Sequence, residues 1–311
     1  MPKLLSIILS LFWVCVWWAT PLSLGYAERV LLEQRSLYSN ILVKQRDGLI
    51  CLQFHVKSDL RNQSCINPKQ PKKMVFAYTR MSMAALLFQP QPRAVLVVGL
   101  GGGTLPTALA ELYPDAEIDA LEIDPAVIDV AENYFGFKAD ERVRAHSLDA
   151  RIWVRRATLK QQRFDLIILD AFNGDYIPEH LMTAEFLGEV KSLLSAQGVV
   201  VANTFSISRL YDHESATYAH VFGRFFNFQR RESSNRVILA PNHKVSDAEL
   251  RTRAAALHQT LKPYGVPIKN YARDLIKLRD ADPDWDTSAR ILNDQFAPAN
   301  LLNQQPRSRS R

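Results

Sequence analysis

The chain has 311 residues, of which 47% are hydrophobic, and its formal net charge is +6. This length and composition predict one large hydrophobic core with room for a small accessory domain. The positive charge does not indicate nucleic acid, because the basic residues are scattered and their densest run is the tail at 307–311. We therefore expect no nucleic-acid partner and a disordered basic tail over residues 303–311.

The N-terminal segment 1–27 is strongly apolar. Residues 4–20 contain no charged residue, and residues 21–27 end in small side chains. One interpretation is a secretory signal peptide cleaved after Ala27, which would export the protein. The other is a membrane anchor, because a segment of this length can just span a bilayer. The protein is thus expected to be exported or to be membrane-associated through residues 4–20, and the side of the membrane is left open.

The cysteines and histidines suggest no metal site. In an exported domain Cys51 and Cys65 could form a disulfide, whereas in a cytosolic protein they would be buried thiols. The seven histidines show no metal-ligand spacing with cysteine or acidic residues, so no metal is expected.

Residues 28–73 are predicted to form a small antiparallel β-domain, with a hairpin turn at Asp47-Gly48. From residue 74 to 302 strands alternate with helices. Thr104 is expected to cap one helix, and Gly198 to end another that begins at Thr183. The predicted strands are 39–45, 49–56, 63–66, 95–98, 118–123, 143–147, 164–170, 199–203, 226–230 and 237–240. The fold class is therefore α/β: a Rossmann-like open sheet with helices on both faces, preceded by the β-domain and followed by a C-terminal helical extension.

A glycine-rich turn directly follows the buried strand at 95–98. Its glycines, Gly99, Gly101 and Gly103 among them, let the backbone approach a ligand closely. About 20 residues further on, Glu122 ends the next strand, where its carboxylate can accept hydrogen bonds from both hydroxyls of a ribose. The combination predicts a nucleoside site. The alternative is a structural turn with Glu122 as a solvated capping acid.

Two further strands end in acids at the same edge of the sheet. Asp149 could accept a hydrogen bond from an exocyclic amine such as that of adenine, or it could only cap the following helix. Asp170 would lie beside the glycine-rich turn, where a reacting group would be held. The loop after it carries Asp175 and Glu179, which either face the cleft or belong to a solvated acidic loop. Several carboxylates near one cleft indicate a cationic substrate.

These segments together resemble the spermidine/spermine synthase family of polyamine aminopropyltransferases. The likeness covers roughly residues 34–240 and is strongest over 95–186. The first two motifs, at 95–105 and 120–125, are shared with AdoMet-dependent methyltransferases and imply a sheet of that type. The segment at 164–186 is more particular to the aminopropyltransferases and their relatives, and the small β-domain also fits that family.

The resemblance implies that Glu122 holds the ribose, that Asp149 with Ala150 holds the adenine, and that Gln63 contacts the nucleoside. Asp170 aligns with the family's catalytic aspartate, which takes a proton from the attacking amine. The implied co-substrate is decarboxylated S-adenosylmethionine (AdoMet) or AdoMet itself, with an amine or polyamine acceptor and no metal. A homodimer is left open. Tyr78, Arg80 and Asn173 match positions of the family's pattern, and with the loop acids Asp175 and Glu179 they are the expected substrate-binding residues.

Three departures from the family pattern concern charge. The glycine-rich turn lacks the usual aspartate, Asn173 replaces a second aspartate, and Arg80 stands where the family has an acid. An arginine suits the carboxylate of intact AdoMet. Three hypotheses follow: an aminopropyl transfer with Asp170 as base, an AdoMet-dependent methyl transfer on the same scaffold, or a non-catalytic nucleoside-binding, membrane-associated protein.

Overall fold

The computed structural model describes residues 28–54, 61–172, 177–205, 208–279 and 281–304. The predicted signal peptide or anchor at 1–27, and the end of the basic tail, lie outside these ranges. Within them, no helix combines the length and the apolar character needed to cross a membrane.

Four antiparallel strands form the N-terminal sheet in the order β1-β2-β3-β4, as the predicted β-domain requires. Asp47 and Gly48 both have positive φ and make the tight turn after β2. The first strand was not predicted, because its side chains are mostly exposed and show no clear alternation. The strands are β1 (Arg29–Arg35), β2 (Asn40–Arg46), β3 (Leu49–Phe54) and β4 (Asn62–Ile66).

The main sheet has seven strands. They are β5 (Ala94–Val98), β6 (Glu117–Glu122), β7 (Val143–Ser147), β8 (Phe164–Leu169), β9 (Leu194–Phe205), β10 (Phe226–Gln229) and β11 (Asn235–Pro241). Their order is β10-β11-β9-β8-β5-β6-β7. The pairs among β5 to β9 are parallel, whereas β10 and β11 are antiparallel additions at one edge. The predicted open, mostly parallel sheet is confirmed.

The helices cover both faces of this sheet. They are α1 (Ala77–Ser82), α2 (Thr104–Leu112), α3 (Pro125–Tyr134), α4 (Ala150–Leu159), α5 (Ala184–Ser192), α6 (Leu210–Phe222), α7 (Asp247–Leu261), α8 (Ile268–Leu278) and α9 (Ala299–Asn303). The side chains of β5 show why its sequence is continuously apolar. Val95 and Val97 pack into one core cluster, whereas Leu96 and Val98 pack into another.

The structure corrects two predicted helix boundaries. Gly103, not Thr104, is the cap of α2; it has a left-handed backbone, and Thr104 is already helical. Gly198 does not end α5. The C-cap of that helix is Leu193, and Gly198 lies inside the long strand β9. The helix α8 was missed, although its buried residues follow a helical spacing.

Candidate active site

A cavity of about 490 Å³ opens at the carboxyl ends of β5, β6 and β8. The chain order of the strands reverses between β5 and β8, and ligands of open α/β sheets bind at such a point. The small N-terminal sheet supplies the opposite wall, including Gln63 and Ser64 of β4. The cavity therefore lies between the two sheets.

The glycine-rich turn lines this cavity, and its first position can be occupied only by glycine. Gly99 has a φ of +97°, and a Cβ there would lie 2.3 Å from the backbone oxygen of Asp170. Ser64 fixes the turn from the other sheet, since its Oγ accepts a hydrogen bond from the Gly102 amide at 2.9 Å. Gly99 and Gly101 line the cavity. Gly103 caps α2 against Phe137 instead.

Glu122 is held at the end of β6 with its carboxyl group in the cavity wall. Its Oε2 accepts a hydrogen bond from the Leu100 amide at 3.3 Å, and its Oε1 accepts one from the Asp124 amide at 3.1 Å. Burial raises the pKa of this carboxyl group, and the backbone hydrogen bonds oppose that rise. The Gly101 amide also bonds to this carboxyl group, which leaves about one of its four lone-pair sites for a ribose hydroxyl.

Asp149 is both a helix cap and a residue of the cavity wall. Its Oδ1 accepts a hydrogen bond from the Ile152 amide at 3.1 Å, which begins α4. Its Oδ2 lies 3.0 Å from Nε2 of His180, a residue whose part in the site was not predicted. Ala150 lines the cavity next to it. The capping role and a role in binding adenine are therefore compatible.

Asp170 lies at the end of β8, where its amide donates to the Val98 carbonyl at 2.7 Å. Its Oδ1 accepts a hydrogen bond from Nδ2 of Asn203 at 2.8 Å, and the Tyr78 hydroxyl also donates to its carboxyl group. Burial raises the pKa of Asp170 to about 7, although these two hydrogen bonds oppose it. Burial also raises the pKa of Tyr78, which keeps its hydroxyl protonated. A carboxyl group with this pKa can gain and lose a proton near neutrality.

The remaining predicted residues divide into three groups. Gln63 and Glu179 line the cavity with Tyr78. Arg80 does not line it, because its guanidinium donates to the carbonyls of Met74 and Val75 at 2.7 and 2.8 Å. The structure thus directs this part of the Arg80 guanidinium to backbone carbonyls and not to the cavity. Asn173 and Asp175 lie outside the described residues.

The described cavity wall is acidic. It contains five carboxyl side chains and no lysine or arginine. One of the five, Asp124, is buried, and both of its carboxylate oxygens accept hydrogen bonds within the protein. One bond comes from the Ala126 amide and caps α3, and the other comes from the Ser36 hydroxyl. The other four are Glu122, Asp149, Asp170 and Glu179. Such a wall favours a cationic ligand.

Residues 74–238 match the model of the spermine/spermidine synthase domain. The chain belongs to the spermine/spermidine synthase family. This span contains the glycine-rich turn and the three acids at the strand ends, so the family match and the cavity concern the same residues. The protein is accordingly a transferase, and the resemblance inferred from the sequence motifs is confirmed.

Known proteins support both the family and the fold. A polyamine aminopropyltransferase from Vibrio vulnificus is 50% identical over 290 residues, which are 91% of this chain and 94% of the relative. The structure of a probable spermidine synthase from Corynebacterium glutamicum covers 84% of this family member and 98% of that chain, with a TM-score of 0.62 and 20% identity. The structure of human methyltransferase-like protein 13 in complex with SAH matches 60% of this chain and 90% of its own chain. Its TM-score is 0.52 and its sequence identity is 29%.

Proposed function

We propose that this family member transfers an aminopropyl group from decarboxylated AdoMet to an amine or polyamine acceptor, with Asp170 as general base. The observation that carries the proposal is the position of Asp170. Its carboxyl group lies at the strand-order reversal, in an acidic cavity, with a pKa near neutrality. Tyr78 and Asn203 fix its orientation.

The proposed step needs no metal. The lone pair of the acceptor nitrogen attacks the carbon of the aminopropyl group that is bonded to the sulfonium sulfur. The carbon–sulfur bond breaks, its electron pair stays on sulfur, and neutral methylthioadenosine leaves. The proton lost by the nitrogen passes to Asp170. Positioning and proton acceptance are the two contributions that this arrangement of residues can make.

The charge of the wall supports decarboxylated AdoMet over AdoMet as the donor. Decarboxylated AdoMet carries a sulfonium and an ammonium group, whereas AdoMet adds a carboxylate. No described lysine or arginine lines the cavity to pair with that carboxylate, and the acids would repel it. The pairing of Arg80 with AdoMet, expected from the sequence, loses its basis because Arg80 is bonded to backbone carbonyls.

A methyl transfer from AdoMet is the second candidate. The observation in its favour is that the turn at 99–103 contributes no carboxyl group to meet the donor's ammonium. The likeness to human methyltransferase-like protein 13 in complex with SAH points the same way. The two reactions leave different products: methylthioadenosine after aminopropyl transfer, and S-adenosylhomocysteine after methyl transfer.

The test is a donor competition with the full chain. Each donor is incubated with putrescine or spermidine as the acceptor probe, and both nucleoside products are quantified. We expect methylthioadenosine from decarboxylated AdoMet and little S-adenosylhomocysteine. The Arg80→Met variant should show the same donor preference. Predominant S-adenosylhomocysteine would favour the methyltransferase, and donor binding without turnover would favour the non-catalytic alternative.

Membrane association through residues 4–20, export after Ala27 and a homodimer stay predictions. The Cys51–Cys65 disulfide joins β3 and β4 in the structure, which is the pairing expected for an exported domain. A reporter fused after Arg311 tests the alternatives, because only an anchor with the main domain inside gives a cytoplasmic signal and no secreted product.

A further inference from the structure

The outward face of α4 combines basic and aliphatic side chains. Over residues 150–163 the chain has five basic residues and no acidic one. Arg155, Arg156 and Lys160 are exposed. The same face exposes Ile152 by 47% and Leu159 by 79%. The inward residues are small or aliphatic and buried, so the helix is anchored in the core while this face is open to solvent.

Three basic residues of this face, Arg155, Arg156 and Lys160, form no ion pair with a described acidic residue. Arg151, at the start of α4, is paired with Asp294. Arg163, just beyond the helix, donates to the Gln162 carbonyl. A row of unpaired cations on one face attracts an anionic surface.

The helical spacing puts these side chains in one stripe. Ile152, Arg155, Arg156 and Leu159 follow one another at i, i+3, i+4 and i+7, so they share one side of α4. Cations that alternate with exposed aliphatic side chains suit the boundary between lipid headgroups and acyl chains. Nucleic acid fits less well, because the aromatic Trp153 packs between His146 and Phe164 and cannot stack on a base.

We propose that the outward face of α4 docks on an anionic membrane surface. The occupant is the lipid headgroup layer, chosen by charge complementarity and by the aliphatic residues within the basic stripe. The uncharged segment at 4–20 fits the same location, since a stable membrane attachment commonly combines an apolar segment with a basic patch. This inference does not depend on the reaction that the cavity catalyses.

The test reports on the face itself, because residues 4–20 could bind lipid on their own. Leu159→Cys, made in a full chain carrying Cys15→Ser, is labelled with a dye whose emission shifts to the blue in apolar surroundings. The probes are vesicles of phosphatidylcholine alone and vesicles that are one third phosphatidylglycerol. We expect a blue shift only with the anionic vesicles, and its loss when salt is raised from about 0.1 M to about 1 M.

Charge reversal then identifies the residues responsible. Each basic residue near an anionic surface contributes about fivefold to partitioning, so the loss of three should weaken it on the order of 100-fold. Arg155→Glu, Arg156→Glu and Lys160→Glu together also add repulsion, so the dye response should weaken by at least that factor. The matched control reverses three exposed cations elsewhere, Arg251, Lys269 and Lys277. These lie on α7 and α8, and the control should keep the response. A triple change of the α4 residues to glutamine repeats the test with less perturbation of folding.

Three results would overturn the proposal. One is no shift with any vesicle, and another is an equal shift with neutral vesicles. The third is loss of the response in the control as well as in the α4 variant. A shift with single-stranded oligonucleotide and none with vesicles would assign the face to nucleic acid instead.

Discussion

Replacing Asp170 with asparagine should remove activity and yet stabilise the protein above neutral pH. The substitution keeps the shape of the side chain but cannot accept a proton. As general bases contribute about 10²- to 10⁴-fold to rate, kcat should fall by that range. The stabilising effect follows from the cost of keeping a buried carboxylate ionised at the end of β8.

The size and sign of the stability change follow from the pKa. Burial raises the pKa of Asp170 from 3.8 to about 7 in the folded protein. Because the folded pKa is the higher one, the unfolded chain loses its proton first as pH rises, and the folded state is progressively penalised. The penalty is small near pH 4 and is complete above the folded pKa, where it reaches at most roughly 4 kcal/mol. Asp170→Asn removes it.

Thermal denaturation at several pH values, with activity measured on the same samples, is the assay. The Asp170→Asn variant should melt several degrees above the wild type at pH 8, and the difference should shrink towards pH 4. Asp165→Asn is the control at the other end of β8, where its carboxyl group accepts hydrogen bonds from the Arg93 and Ala94 amides. That variant should keep the pH dependence of activity. A destabilised Asp170→Asn at pH 8, or one with near wild-type kcat, would refute the reasoning.

Three further predictions concern the site's framework. Glu122→Gln should raise the donor KM by about 10- to 100-fold with little change in kcat, because hydrogen bonds to a charged acceptor are lost. Steady-state kinetics in which only kcat falls would contradict this prediction. Gly99→Ala should lower the free energy of unfolding, measured by denaturant titration, by roughly 1–3 kcal/mol or more through overpacking against Asp170. The control Gly188→Ala should not destabilise the protein, because its Cβ would meet nothing within 4 Å. Replacing Cys51 and Cys65 by serine should cost about 3 kcal/mol, since their positions in the sequence differ by 14. The wild type treated with dithiothreitol should match that melting curve, and equal melting of oxidised wild type and variant would contradict the prediction.

Reasoning from strand ends predicted much of the cavity because the rule behind it is geometric. In a parallel sheet the carboxyl ends of the strands meet at one edge, so residues that follow buried strands converge whatever the intervening sequence. Gly99, Glu122, Asp149 and Asp170 all line the cavity on this account. Asn203 was passed over although it ends the predicted strand 199–203, because only the acids and the glycine at the strand ends were considered. Its amide reaches Asp170 from the neighbouring strand β9.

The contacts that the sequence did not reveal join elements distant in the chain. Ser64 supports the glycine-rich turn from 38 residues away, and His180 contacts Asp149 from 31 residues away. Neither residue type is unusual at its position, so no local pattern marks it. The position of Arg80 differs from the expectation for a related reason. Alignment with a family motif gives a residue's place in the chain, whereas the direction of its side chain depends on nearby carbonyls that the motif does not specify.

The raised pKa of Asp170 and the acidity of the cavity belong to one mechanism. Burial keeps Asp170 partly protonated near neutrality. A cationic donor or acceptor favours the ionised carboxylate, so binding should lower this pKa and release a proton. Substrate binding should consequently tighten as pH rises towards 7. The acidic limb of the pH profile of kcat should lie at lower pH than the acidic limb of the profile of kcat/KM, measured far below saturation. Asp170 would then become a competent base chiefly when the positive charges of the substrates are in place.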